Sequence, residues 1–294
     1  MAFNRHGLGR HIPEGIKRTV RASCNFGCVI CGSVPYDYDH LSEEFNAAEE
    51  HDPDDIVLLC DKHHRLKTAG ILSVERILDA KKKRVSAASE TRFKLELIRP
   101  DFETIWGSNV ITAADNSILV DDEHVLTFRK SENDLEPLLL SGEFRDKTGN
   151  LLCAISDNEF VSRSDNVGDF TVIANRFTYK TPNGDIALAF LLNDARMHIT
   201  SAFHVKRDAH VIVNGDMLRV GNVFSSMIFS KSAFRNVRTA ISVGTGCDEF
   251  SYDRVDMGKI PTNSMSEVNM WDGHIGVRMD GRNRRRFTSN YDRF

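Results

Sequence analysis

Cys28-Val-Ile-Cys31-Gly32, Tyr36-Asp-Tyr-Asp39-His40 and His51-Asp-Pro-Asp-Asp55-Ile-Val-Leu-Leu-Cys60-Asp-Lys-His63-His64-Arg-Leu-Lys67 follow one another between residues 28 and 67. Two ligand pairs stand out, Cys28-x2-Cys31 and Cys60-x2-His63. Zinc takes four tetrahedral Cys or His ligands, and pairs with this spacing wrap readily around one ion. Gly27 and Gly32 flank the first pair and let the backbone curl so that both thiolates point inward. Cys24 is close enough to replace one ligand, but the Gly-Cys-x-x-Cys-Gly frame selects Cys28 and Cys31 and leaves Cys24 as a small buried residue. A structural zinc accounts for the pairs and requires none of Asp39, His40 and His64. Those three read as a second metal site with a base beside it.

Around this stretch the sequence predicts a helix over Pro13–Ala22 and strands at Tyr36–Leu41 and Ile56–Leu59. A second helix begins at Asp61–Thr68 and ends at Gly70. A third opens at Ser73, the expected N-cap, with Val74, Ile77 and Leu78 on one face. Residues 86–100 read as a bridge to a second domain.

The segment from about Ile12 to Leu72, roughly a fifth of the chain, resembles the HNH endonucleases, the ββα-metal or His-Me finger family. The family's pattern runs C-x2-C, then Asp-His ending a strand, then Asn, an apolar run, C-x2-C, His and, three residues on, Lys. The resemblance implies that His40 is the general base and that Asp39 and His64 hold a catalytic divalent ion. Oxygen ligands with one imidazole suit Mg2+ or Mn2+, and also admit Ni2+ or Zn2+. The chemistry fits independently. Phosphodiester hydrolysis needs an activated water, a cation on the phosphate and fixed geometry, and imidazole is the natural base near neutral pH. His63 and His64 diverge by about 100° on a helix, so one can face the zinc and the other a cleft. Asp55 stands where the family has Asn: it accepts the same hydrogen bonds but cannot donate. If it faced the metal it would add a second carboxylate. His51 is open between metal ligand, phosphate contact and plain loop residue. His63 replaces the usual fourth cysteine.

The chain has 294 residues, enough for two domains, with 27% charged and 41% hydrophobic residues. No run is long and apolar enough to span a membrane, and the basic N-terminus lacks the apolar core of a signal peptide. Six cysteines, four of them close together around the metal frame and Cys153 and Cys247 isolated, fit a reducing cytoplasm better than a disulfide scaffold. The net charge of −4 opposes bulk nucleic-acid binding weakly, and local patches matter more. Lys17, Arg18 and Arg21 at helical spacing, with Arg65 and Lys67 beside the site, are the candidate phosphate contacts. DNA is favoured over RNA only through the family.

Beyond residue 100, Val/Ile/Phe/Thr runs alternate with Gly, Asn and Asp turns. Hairpins are expected around Asp146–Asn150 and Pro182–Gly184. The whole is α+β: a zinc-stapled ββα-metal domain over 1–85, the 86–100 linker, a mainly-β domain over 101–256 and an extension over 257–294. The β domain reads as a sandwich or a β-solenoid-like stack, the even spacing leaning toward stacking. Its histidines (His124, His198, His204, His210 and His274) show no metal-ligand spacing. Its expected roles are target access, activation or assembly into a homo-oligomer. The functional expectation is a metal-dependent DNA endonuclease, in the context of a regulated, antiviral defence effector. The alternative is a catalytically silent zinc module that binds nucleic acid or protein.

Overall fold

The computed structural model describes residues 3–41, 45–87, 90–95, 103–121, 123–132, 138–193, 196–223, 226–244, 249–253, 255–257, 274–280 and 284–287. Cys247 and most of the extension after 257 lie outside them. The protein is mixed α+β, with three α-helices and mostly β structure among the described residues. It divides into two compact units. The first joins Met1–Lys94 to Glu159–Asp185, and the second joins Leu95–Asn158 to Ile186–Phe294.

In the first unit, helix α1 (Glu14–Ser23) is followed by strands β1 (Asp37–His40) and β2 (Ile56–Leu59), then α2 (Asp61–Thr68) and α3 (Val74–Ala87). Pro13 caps α1, where its fixed φ fits and its missing N–H costs nothing. β1 and β2 pair antiparallel, with His40 opposite Ile56 and Asp39 opposite Val57. All four β2 residues are fully buried. The Ile-Val-Leu-Leu run therefore does not alternate in-out, as expected of a strand covered on both faces. Each side chain withdrawn from water contributes about 1.5–3 kcal/mol. Val20, Cys24, Cys28 and Ile77 complete this core. Ser73 accepts a 3.4 Å hydrogen bond from the Arg76 N–H and opens α3. Leu78, expected on its apolar face beside Ile77, is instead exposed, while Ile77 alone is fully buried. One residue of helix turns a side chain by about 100°, enough to carry Leu78 out of the narrow buried stripe.

The bridge expected at 86–100 contains a third strand, β3 (Glu90–Lys94), which pairs antiparallel with Glu159–Arg163; residues 88–89 and 96–100 lie outside the described set. The hairpin of Asp169–Ile173 with Arg176–Lys180 also belongs to this unit. Its turn lies at Ala174-Asn175, with Ala174 at φ 53°, a bend that the Ile-Ala-Asn-Arg sequence does not announce. Phe93 stacks on Phe160 at 4.5 Å and meets Phe170 at 4.7 Å, which gives these strands an aromatic core. Tyr36 donates a hydrogen bond to the Phe170 carbonyl at 3.2 Å.

Arg21 corrects an expectation. It is 2% exposed, with Nε 2.8 Å and Nη2 2.7 Å from the two Asp169 carboxylate oxygens. Nη2 also donates to Glu14 at 2.7 Å, and Nη1 donates to the Tyr38 hydroxyl at 2.8 Å. Burial opposes the charge, but these partners more than offset it and hold the guanidinium well above its ordinary pKa. A fork bound in this way ties α1 to the Asp169 hairpin and is buried out of reach of a phosphate. Removing one partner of such a buried pair costs about 3–5 kcal/mol.

The second unit is built from short strands joined by tight turns. Leu138–Arg145 and Leu151–Ser156 form the hairpin expected at Asp146–Asn150, and Ala209–Asn214 pairs with Met217–Gly221 across Gly215. Most sequential neighbours pair antiparallel. Parallel pairing joins Asn109–Val120 to Ser232–Val243 and Glu103–Trp106 to Arg196–Lys206. Antiparallel hairpins therefore predominate over the parallel stacking toward which the even spacing leaned, because tight turns reverse the chain between most sequential neighbours. In the first unit, the Pro182–Gly184 turn closes as expected, with the Thr181 N–H on the Asp185 carbonyl at 2.9 Å. In the extension, His274–Asp280 and Arg284–Phe287 pair as strands that the sequence reading did not foresee. No helix among the described residues is long and apolar enough to cross a membrane.

Candidate functional site

Cys28, Cys31, Cys60 and His63 converge, with all four ligand atoms within 4.8 Å of one another. His63 Nδ1 lies 3.4, 3.5 and 3.2 Å from the sulfurs of Cys28, Cys31 and Cys60, and Cys31 and Cys60 are 3.8 Å apart. Ligands about 2.3 Å (S) and about 2.0 Å (N) from a tetrahedral zinc stand about 3.8 Å (S···S) and about 3.5 Å (S···N) apart. The Cys3His cluster thus fits a metal such as zinc, and Cys24, fully buried elsewhere in the core, is not part of it.

The knuckle's curl has a steric cause. A Cβ on Gly27 would lie 2.5 Å from the Gly32 carbonyl oxygen, and Gly32 has φ 77°. Arg84 of α3 donates to the Cys24 carbonyl at 3.2 Å and holds the loop from behind. Cys60 sits at the N-cap of α2, so the helix starts on the metal cluster. Burial pushes the Cys28 thiol up to about 12. Burial also acts on Cys31, but Ser33, 3.1 Å from its sulfur, and further hydrogen bonds outweigh it and bring that thiol down. Burial lowers His63, favouring the neutral imidazole that a metal needs.

One residue further along α2 the side chain turns away. His64 Nε2 lies 3.8 Å from Asp39 Oδ2. Asp39 is 11% exposed, and Oδ2 is buried with no hydrogen-bond partner among the described residues. Its other oxygen accepts from Lys67 Nζ at 2.8 Å, and the same ammonium donates to the His40 carbonyl. Asp39, His40, His64 and Lys67 line a cleft of about 530 Å³, together with Arg10, Tyr38, Phe45 and Thr68. His40 is 9% exposed. Burial lowers its pKa, His51 adds to that, and Asp55 and Asp39 pull the other way, so the net shift favours neutral imidazole at pH 7.

The remaining expected residues scatter. Asp55 does not line the cleft. Its carbonyl accepts from the Leu41 N–H at 2.8 Å and continues the β1–β2 pairing past His40. Lys17 stands over the Tyr38 ring at 5.9 Å, near the cleft. Arg18 reaches the Gly168 carbonyl at 3.4 Å, and Arg65 pairs with Asp61 on the exposed face of α2. Neither lines the cleft, and Arg21 is buried as described. Arg10, not among the expected phosphate contacts, lies 5.3 Å from the Phe45 ring and lines the cleft. Its only signal was membership of a generally basic N-terminus. His51 lies in the loop before β2 and is buried against His40.

Comparison with protein-family models, with curated proteins and with solved structures finds no match for this chain.

Proposed function

We propose that this protein is a metal-dependent endonuclease of the HNH type that hydrolyses DNA phosphodiesters. The observation that carries the reading is Asp39 Oδ2, a buried carboxylate oxygen without a hydrogen-bond partner among the described residues, 3.8 Å from a histidine nitrogen in a cation-lined cleft. An unpaired buried carboxylate oxygen is costly. Two ligands about 2.1 Å from one ion stand at most about 4.2 Å apart, so Asp39 and His64 are close enough to share it. A divalent ion held there would supply positive charge to the phosphate and to the leaving oxygen. The chain's own residues do the rest. Neutral His40 accepts a proton from the attacking water as its oxygen bonds to phosphorus and the bond to the sugar oxygen breaks. Lys67 fixes both the Asp39 carboxylate and the strand end that carries His40. Arg10, which lines the cleft, and Lys17, over the Tyr38 ring, would neutralise flanking phosphates. The family-like order, β1 and β2 followed by α2 with a Cys3His cluster at its start, supports the same reading.

A second reading, a catalytically silent zinc module, draws on the Lys67–Asp39 pair, since an ammonium already neutralises much of the carboxylate. Supercoiled plasmid incubated with the zinc-loaded full chain separates the two. Nicking that appears with Mg2+ or Mn2+ and vanishes with chelator is expected. Intact plasmid, single-stranded DNA and RNA under every ion would favour the silent module.

A further inference from the structure

His51 Nε2 lies 2.9 Å from the Gly9 carbonyl oxygen, and His51 Nδ1 lies 3.4 Å from His40 Nε2. Both rings are buried, at 8% and 9% exposure. A carbonyl only accepts, so the proton of neutral His51 sits on Nε2, and Nδ1 presents a lone pair. Two lone pairs do not face each other in a buried contact. His40 must therefore carry its proton on Nε2 and donate it to His51. The lone pair of His40 is then left on Nδ1.

The chain secures this arrangement from both sides. Asn4 donates through Nδ2 to the Phe45 and Ala48 carbonyls, each at 2.7 Å, and accepts through Oδ1 from the Leu8 N–H at 2.9 Å. Its side chain thus clamps the N-terminal loop that holds Gly9 onto the loop that leads to His51. Phe45 lies beside His51 with ring planes 15° apart and centroids 6.2 Å apart.

We propose that His51 is a positioning residue: anchored on Gly9, it locks His40 in the Nε2–H tautomer and directs Nδ1 as the proton-accepting nitrogen. The proposal rests on the reading of His40 as the base. It assigns His51 neither to a metal nor to phosphate. It also gives the N-terminal loop a task, since Gly9 supplies the carbonyl that fixes the order of protons. The relay has one acceptor at its end and one free lone pair at its start, so a single tautomer satisfies every atom in it.

Two variants separate orientation from packing. In His51→Asn the amide oxygen falls where Nδ1 stood and still accepts from His40. In His51→Gln the amide reaches the Nε2 end and still donates to Gly9, but the acceptor for His40 is lost. Long-range proton–nitrogen spectra of the zinc-loaded full chain, labelled at histidine nitrogen, read the tautomer directly. Expected are a pyrrole-type Nε2 and a pyridine-type Nδ1 for His40 in the wild type and in His51→Asn, and a mixture in His51→Gln. Removal of an orienting partner lowers activity by roughly 10–100-fold, so kcat for plasmid nicking should fall by that range in His51→Gln, with KM unchanged, and be retained in His51→Asn. A wild-type His40 protonated on Nδ1 overturns the proposal, as does a folded His51→Gln chain with wild-type tautomer and kcat. Should His51→Gln not fold, the wild-type spectrum decides alone. A wild-type chain that shows the Nε2–H tautomer but cuts no nucleic acid refutes the nuclease reading and leaves the lock standing.

Discussion

Asp39 divides its two oxygens between unlike neighbours: Lys67 holds Oδ1, and Oδ2 is left toward His64. A direct ligand supplies charge and geometry together, whereas a brace supplies geometry alone. That distinction separates His64 from Asp55, whose carbonyl accepts from the Leu41 N–H just before β2 and which lies outside the cleft. His64→Ala should abolish nicking at every Mg2+ or Mn2+ concentration. Asp55→Asn should retain it, and a titration of rate against each ion tells them apart; an Asp55→Asn chain as inactive as His64→Ala would make Asp55 an essential carboxylate. The residues that could be read from the sequence are those that stand in a spaced motif, such as His63 in the Cys60-x2-His63 pair and His64 at the next helix position. His51 and Arg21 could not be read, because what defines them is remote: Gly9 is 42 residues from His51, and Asp169 is 148 residues from Arg21. Lys17, Arg18 and Arg21 look alike as charges at helical spacing, and only the buried carboxylate opposite Arg21 takes it out of the set.

Helix α2 is the element on which the account turns. Its first residues deliver His63 to the sulfur cluster, and the next position delivers His64 to Asp39, so the helix that closes the Cys3His cluster also sets the cleft. The ends of α2 were legible because Cys60 is tied to its ligand set and Gly70, at φ 71°, stops it in a conformation that glycine adopts freely. β3 was not legible. Glu-Thr-Arg-Phe-Lys carries a single apolar residue, Phe93, in five positions, and its partner, Glu159–Arg163, is distant in sequence. Because α2 rests on the metal ligands, Cys28→Ser should lower bound zinc and release amide protection in α1, β1, β2 and α2, as read by metal analysis and hydrogen exchange. With its thiol raised to about 12 by burial, Cys28 must give up a proton on binding metal, so zinc affinity in the wild type should weaken as pH falls. A Cys28→Ser chain with full zinc and unaltered protection would remove Cys28 from the ligand set.

At the scale of the whole molecule, the chain leaves its first compact unit after Lys94 and returns to it over Glu159–Asp185. Composition marks the change of texture near residue 100 but carries no trace of the return, since the strands at 159–180 look like those around them. The returning hairpin supplies Asp169, which neutralises Arg21 in α1, and the Phe170 carbonyl bound by Tyr36. The first unit is therefore larger than its metal-ligand motif suggests, and its stability and activity are properly measured on the full chain. The central claim is that His40 is the base of a phosphodiester-cleaving site. Its most direct test is the rate of plasmid nicking by full-length wild type and His40→Ala, both zinc-loaded, at saturating Mn2+. Loss of a general base predicts a fall of roughly 10²–10⁴-fold with zinc content and DNA affinity unchanged; equal rates in the two proteins would contradict the account.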